Sequence, residues 1–498
     1  VSDQPANILF ICSDQHARRF MGCSGHPKVQ TPNLDRLAAN GARFANSYCN
    51  SPLCVPSRAS FATGRYPHQT ENWDAAKPYA GTEADSWGRR LNEQGHRVVT
   101  IGKLHYRAVD DPTGFPDQRL PMHVLNGVGD LFTLLRENVP PTPESRRVVL
   151  EAGPGDSEYL RYDRATAQAA TAWLRDEAGR EEKPWVLMVS FVTPHFPLIA
   201  PPEDFARYPL DQVPLPPLGE PEGWPDHPVF QLRRRIDMLE EPFQEEEIRT
   251  ATAAYFGLVT FLDRQIGTLL KVLGETGLGA TTRVIYTSDH GEMLGGHGIW
   301  GKSTLYEDSV GVPLIVAGPG VPAGRVVGTN ASLVDLFPTI VEGAGATLDE
   351  RDRELPGRSL WRIAQEPDQP RHVFAEYHAE AAPSAMYMLR DDRYKYVHYV
   401  GYEPQLFDLR ADPEEAHDLA GDSRHADLVQ KFEAQLRAIL DPEETDRRAR
   451  RDQERRIAAH GGPAKIIEQG LLVPYTPAPA AFEPAPVAAR ERTQASRE

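Results

Sequence analysis

The chain has 498 residues, 40% of them hydrophobic and 25% charged, which suits a large α/β domain with additions and excludes a disordered chain. A formal net charge of -17 excludes a non-specific nucleic-acid binder and a protein held on anionic lipid, so any anion site must rest on locally clustered cations. No apolar run reaches the roughly 18 residues of a membrane span.

Residues 7–12 (NILFIC) are a short continuous apolar run, the pattern of a buried parallel strand, and they stop at Ser13, Asp14 and Gln15. No basic region followed by an apolar stretch precedes them. Cys12, Cys23, Cys49 and Cys54 all fall within the first 54 residues without C-x-x-C spacing. Reduced thiols in a cytoplasmic setting are therefore expected. Residues 31–41 read as a helix with Thr31 as N-cap, Pro32 in its first position and Gly41 as C-cap. Residues 86–95 and 97–101 repeat helix then strand. A helix over 165–174 precedes a second fully apolar strand at 185–192 (WVLMVSFV), and a long amphipathic helix over 248–273 precedes strands at 282–287 and 312–316.

This alternation predicts a large doubly wound, mostly parallel sheet flanked by helices, occupying residues 1–370. Ligands bind such sheets beyond the carboxyl ends of the strands. Three strands end in polar clusters, Asp14-Gln15, Thr193-Pro194-His195 and Ser288-Asp289-His290, which should meet on one edge. Beyond residue 370, short strands at 373–377, 385–390, 394–399 and 405–408 and a helix over 425–440 predict a smaller domain of antiparallel sheet plus helix, residues 371–440. Residues 441–498, charged and then rich in Pro and Ala, read as an extended arm or a disordered tail.

The most informative stretch is Cys54-Val55-Pro56-Ser57-Arg58, followed by Thr63-Gly64-Arg65. It resembles the C-x-P-S-R and T-G-R signature of the sulfatase family. Asp14, Gly102-Lys103-Leu104-His105, Thr193-Pro194-His195, Ser288-Asp289-His290-Gly291 and Gly301-Lys302 follow in that family's order, so the resemblance covers roughly the first 320 residues. The Asp14-Gln15 and Asp289-His290 pairs depart from the commoner Asp-Asp and Asp-Asn. In this they resemble the choline sulfatase and phosphonate monoester hydrolase branches.

The resemblance implies hydrolysis of sulfate monoesters, with Cys54 oxidised to formylglycine by a maturation enzyme. An anionic ester repels nucleophiles, so catalysis needs charge neutralisation and an oriented attacking oxygen. An aldehyde at residue 54 hydrates to a geminal diol, whose one hydroxyl attacks and whose other loses a proton so that the sulfate leaves by C–O cleavage. A serine lacks the second hydroxyl. By the same resemblance Asp14, Gln15, Asp289, His290 and residue 54 would hold one divalent ion, Ca²⁺ or Mn²⁺. Arg58 would hold the diol oxygen, Lys103 and Lys302 the sulfate oxygens. His105 would be the base that collapses the diol, and His195 the proton donor to the leaving alkoxide.

Trp73 and Asp74 are candidates for a cationic organic group of the substrate, with a packing role as the alternative. His297 either serves the metal motif or shapes its loop. Phosphonate monoesters and phosphodiesters are the alternative substrates of the same site. An anion-binding protein with unmodified Cys54 is a further alternative. The arm after Asp441 resembles extensions that hold related enzymes as dimers or tetramers, so a homo-oligomer clasped by that arm is expected, against a disordered tail.

Overall fold

The computed structural model describes residues 4–136, 139–470 and 476–479. Its main sheet uses β1 (Asn7–Asp14), β2 (Gly41–Phe44), β3 (Val98–Lys103), β4 (Asp117–Met122), β5 (Val186–Pro194), β6 (Thr282–Ser288), β7 (Leu314–Ala317) and β8 (Arg325–Val327). Their spatial order is β8-β2-β7-β6-β1-β5-β3-β4. The five strands from β6 to β4 run parallel, while β7 is antiparallel to both β6 and β2.

Side chains alternate across a strand, and both faces of this sheet are covered. Ile8, Phe10 and Cys12 of β1 face one core with Phe61, Trp87, Phe337 and Ile340, whereas Leu9 and Ile11 face another with Trp173, Leu262, Ile266 and Leu269. The first group comes from α2 (Cys54–Thr63), α3 (Trp87–Glu93) and α6 (Leu336–Gly343), the second from α4 (Glu158–Asp176) and α5 (Glu245–Glu275). In α5, three glutamates lie in the first turn, and the Glu247 carboxylate accepts the backbone N–H of Gln244 at 2.7 Å. Both features satisfy a positive helix start.

Gly41 does not cap a helix as expected. Helix α1 (Pro32–Ala39) closes on Asn40, and Gly41 opens β2, where an added Cβ would lie 2.2 Å from the Val316 carbonyl oxygen. Close strand approach is what requires glycine there. Thr31 precedes α1, but its hydroxyl accepts the Gly22 N–H and donates to Asp35 instead of capping the helix.

The smaller sheet is an antiparallel meander of β9 (Val373–Tyr377), β10 (Met386–Arg390), β11 (Tyr394–Tyr399) and β12 (Gln405–Asp408). Helix α7 (Ala426–Ile439) buries Phe432 and Leu436 against its Phe374, Tyr387, Tyr396 and Leu406. The first part of the segment expected as an arm or a disordered tail is helical. It forms α8 (Pro442–Ala459), whose Asp446 and Arg456 pair with Arg136 and Asp74 of the same chain. A short α9 (Pro463–Gln469) follows. Of the Pro- and Ala-rich tail, residues 471–475 and 480–498 lie outside the described residues. No described helix is long and apolar enough to cross a membrane.

Candidate active site

Parallel strands place their carboxyl ends on one edge, and the chemistry collects there. Asp14 closes β1 and Lys103 closes β3. His195 follows β5, while Asp289 and His290 follow β6. These four strands are consecutive in the sheet, so residues almost 280 positions apart in sequence become neighbours.

Cys54 is the first residue of α2. Its position in the first helical turn faces unpaired backbone N–H groups, which favours a negatively charged atom there. All ten residues of α2 are buried, and Gly64 ends it in a left-handed conformation (φ 67°). The Cys54 sulfur lies 3.1 Å from His290 Nε2, 3.3 Å from Lys302 Nζ and 3.7 Å from Asp14 Oδ1. Ligating atoms of Asp14, Cys54, Asp289 and His290 all fall within 4.8 Å of one another, in full burial. His290 Nδ1 bonds the Gly291 carbonyl oxygen at 3.0 Å, which puts the proton on Nδ1 and leaves Nε2 free to ligate. Two carboxylates, one imidazole nitrogen and residue 54 fit a divalent cation.

Arg58 lies one turn along α2 with 0% exposure. Its Nε donates to Asp289 at 2.7 Å, one terminal nitrogen to Asp14 at 3.2 Å, and the other to Ser190 Oγ and the Lys103 carbonyl oxygen. Expected to hold the oxygen of residue 54, the guanidinium bridges the two carboxylates in this structure and sets their spacing. Its planar fork suits that task. Lys103 Nζ is 2.6 Å from the same Asp14 oxygen.

Burial pushes the Asp14 carboxyl upward, but Lys103, His195, Arg58 and Lys302 outweigh it and hold the group well below its usual range. Burial and Asp14 likewise raise Cys54, and Lys302, Lys103 and His290 together still bring the thiol below its ordinary value. Cations thus cluster locally at this edge within a protein of net charge -17. Burial, aided first by Lys103 at His105 and by Lys302 at His195, holds both imidazoles well below their usual range.

Gln15, expected among the metal ligands, stands beside the cluster, between Lys302 and Glu292. Its amide oxygen accepts from Lys302 Nζ at 2.8 Å and its NH₂ donates to Glu292. Glu292 also accepts the backbone N–H groups of Leu294 and Gly301, tying the loop of Lys302 to the end of β1. Asp163 does the same for His195. It accepts the N–H groups of Val192 and Thr193 and the Thr193 hydroxyl. Neither Glu292 nor Asp163 belongs to a motif that sequence reasoning could find. Each works through backbone donors, and only an acid beside a strand or loop end hinted at it.

Trp73 and Asp74 stand apart from this cluster and do not line its cavity. Trp73 is buried with its ring edge against His378, and Asp74 accepts from Arg456 at 2.7 Å and from Gln453 at 3.0 Å. Asp74 is fully buried, so Arg456→Met leaves its charge unpaired. That variant is expected to lose about 3 kcal/mol in urea melts, and a loss within experimental error would contradict a structural role.

His297 shapes its loop. It has φ 56° and stacks on Tyr306 at 4.0 Å. Burial, helped by Lys395, lowers its pKa to about 4, so the folded protein keeps the ring neutral where the unfolded chain would protonate it. Stability from this group is whole above pH 6.5 and lost as pH falls toward 4, by at most roughly 3 kcal/mol. Melting temperatures across that range should fall less steeply in His297→Asn, which keeps the left-handed preference.

The cluster opens into a cavity of about 240 Å³. Cys54, Lys103, His105, His195 and Lys302 form its charged base, with Val124, Phe132, Tyr159, Phe196, Ile236 and Trp300 among its walls. This arrangement, cations and a nucleophile position beneath an apolar pocket, can bind an ester whose anionic end is small and whose organic end is not.

Comparison with known proteins agrees. The model of the sulfatase family matches residues 6–346, and that of the N-sulphoglucosamine sulphohydrolase C-terminal region matches residues 295–441. The chain is 31% identical over 483 residues to the choline-sulfatase of Rhizobium meliloti (strain 1021), covering 94% of this chain and 93% of the relative. It is 30% identical over 460 residues to arylsulfatase K of Xenopus laevis, covering 88% and 82%. Among solved structures, the phosphonate monoester hydrolase of Silicibacter pomeroyi superposes with a TM-score of 0.69 at 25% identity, covering 86% of this chain and 94% of that one. The chain belongs to the sulfatase family and is a sulfuric ester hydrolase.

Proposed function

We propose that the protein hydrolyses sulfate monoesters with residue 54 as formylglycine and a divalent ion held by Asp14, Asp289, His290 and residue 54. The observation that carries this reading is the meeting of Cys54, two carboxylates, His290 and two lysines within one buried cluster. The bound ion would neutralise charge on the ester and lower the pKa of an oxygen beside it. Mn²⁺ gains on Ca²⁺ because Gln15 stands in place of a carboxylate and His290 adds an imidazole nitrogen.

The chain's own residues do the rest. Lys103 and Lys302 offset the anionic group, and Arg58 keeps both carboxylates in place. A hydroxyl of hydrated residue 54 gives up its proton and attacks sulfur, and the S–O bond to the alcohol breaks. His195, protonated once the anionic ester is bound, delivers a proton to the departing alcohol oxygen. Burial, aided by Lys302, disfavours the protonated His195 ring, and the negative charge of an arriving ester opposes the Lys302 contribution. His105 then takes the proton of the remaining hydroxyl. The aldehyde re-forms, sulfate leaves, and water rehydrates the aldehyde.

Mass spectrometry of the tryptic peptide 44–58 tests the first element. Conversion of cysteine to formylglycine lowers its mass by about 18 Da. An intact thiol in protein made with a competent maturation enzyme would sink the mechanism and favour an anion-binding role. The likeness to a phosphonate monoester hydrolase supports a second reading, activity on phosphonate monoesters and phosphodiesters. Rates on matched aryl sulfate, phosphonate and phosphodiester substrates separate the two. Sulfate should be fastest, and a sulfate rate below both others would reverse the order.

A further inference from the structure

Residues 476–479 lie far beyond the catalytic strands in sequence, yet they reach the catalytic edge. The Thr476 side-chain hydroxyl sits 3.0 Å from His105 Nε2. The Thr476 carbonyl oxygen accepts the Tyr159 hydroxyl at 2.6 Å, and the Ala478 N–H donates to Glu158. Both anchors belong to the first turn of α4. Ala478 also packs beside Met122, Tyr162 and Val192. The segment is thus docked at three points, and Thr476 joins Ile466, Gln469 and Gly470 in forming one wall of the cavity.

His105 needs such a partner. Its backbone has φ 56°, fixed by a bond from its N–H to the Met122 carbonyl oxygen at 2.9 Å. Its Nδ1 is buried without a hydrogen-bond partner among the described residues. A neutral imidazole carries one N–H, and a buried N–H left unpaired costs more than an unpaired lone pair. The proton therefore belongs on Nε2, donated to Thr476 Oγ1, which leaves Nδ1 as the nitrogen able to accept a proton. We propose that Thr476 is a positioning residue for the reaction, selecting this tautomer and orientation of His105 from the C-terminal segment of the same chain. The proposal rests on the sulfatase reading for the role of His105, although the hydrogen bond itself does not.

The test uses full-length protein matured in vivo and loaded with Mn²⁺, with para-nitrophenyl sulfate as probe. Thr476→Val keeps the shape and removes the hydroxyl, whereas Thr476→Ser keeps the hydroxyl. Thr476→Val is expected to lower kcat by about 10–100-fold, the usual cost of losing an orienting partner, with KM little changed. Because His105 acts after the first alcohol has left, that variant should release a burst of one nitrophenol per site before slowing. Thr476→Ser should restore kcat and abolish the burst.

Imidazole ¹⁵N resonances of His105, assigned with His105→Gln in protein loaded with diamagnetic Ca²⁺ in place of Mn²⁺, supply a readout besides activity. They should report the Nε2–H tautomer in wild type and Thr476→Ser, and shift in Thr476→Val. Unchanged kcat and unchanged resonances in Thr476→Val would overturn the proposal. So would equal impairment of the two variants, which would mark a packing role. If even the wild type turns over no ester, the sulfatase reading fails, and the His105 resonances alone decide whether Thr476 positions the ring.

Discussion

Cys54→Ser should give a protein that reacts once and stops. Serine escapes oxidation, yet its hydroxyl would occupy the position of the sulfur, 3.1 Å from His290 Nε2 and 3.3 Å from Lys302 Nζ. Attack on sulfur remains open to it, and the alcohol leaves. The resulting serine sulfate has no second hydroxyl from which His105 could withdraw a proton, so C–O cleavage is closed. Steady-state turnover is expected to fall by at least about 10⁴-fold, the scale seen when a nucleophile is lost. Intact-protein mass spectrometry after incubation with an aryl sulfate should find one sulfate per chain. Repeated turnover near the wild-type rate would show that the second hydroxyl, and with it formylglycine, is not needed.

Loss of Arg58 should be the most damaging change to the fold around the site. Asp14 and Asp289 are both fully buried, and the guanidinium bridges them with equally complete burial. Burying three charges is expensive, so the assembly adds little net stability as it stands. Removing the cation is another matter, because it leaves two carboxylates desolvated and facing one another, with Lys103 and Lys302 as the remaining cations. Arg58→Met is expected to cost about 3–5 kcal/mol in chelator-treated protein. Added Mn²⁺ or Ca²⁺ should recover part of that loss, since a cation at the cluster supplies charge that the guanidinium gave. Denaturant melts with and without chelator check both statements. A chelated variant within about 0.5 kcal/mol of wild type would mean the carboxylates do not need the bridge.

Much of this architecture was legible from residues alone, for identifiable reasons. Strands buried on both faces must be apolar throughout, and residues 7–12 and 185–192 announce themselves that way. The topology rule for parallel sheets then brings Asp14, His195, Asp289 and His290 to one edge without further information. What stayed hidden acts across long sequence separations with unremarkable residue types. Asp163 and Glu292 hold loops by accepting backbone N–H groups, which no side-chain pattern records. The bridge from Arg58 to Asp14 and Asp289 was also hidden, because spacing fixes where a helix presents a side chain, not which of several nearby acids will attract it. Helix α8 was misjudged because its charge density resembles a solvated segment. In fact Asp446 and Arg456 have partners 310 and 382 residues away, and only a folded chain offers them. Thr476 was lost in a Pro- and Ala-rich tail for the same reason.

The complete burial of α2 constrains the order of events in the life of the molecule. Cys54 is 5% exposed at the base of the cavity, and the rest of its helix packs under the sheet with α3 and α6. If residue 54 becomes formylglycine as proposed, a maturation enzyme has to grip the peptide around it, and the folded protein keeps residues 55–58 buried. On that proposal oxidation would precede folding, while residues 54–58 are still an extended peptide. Chains that folded first would then keep the thiol. The fraction of active enzyme in any preparation is then fixed by a race between modification and folding, and a slower-folding variant should emerge more fully converted.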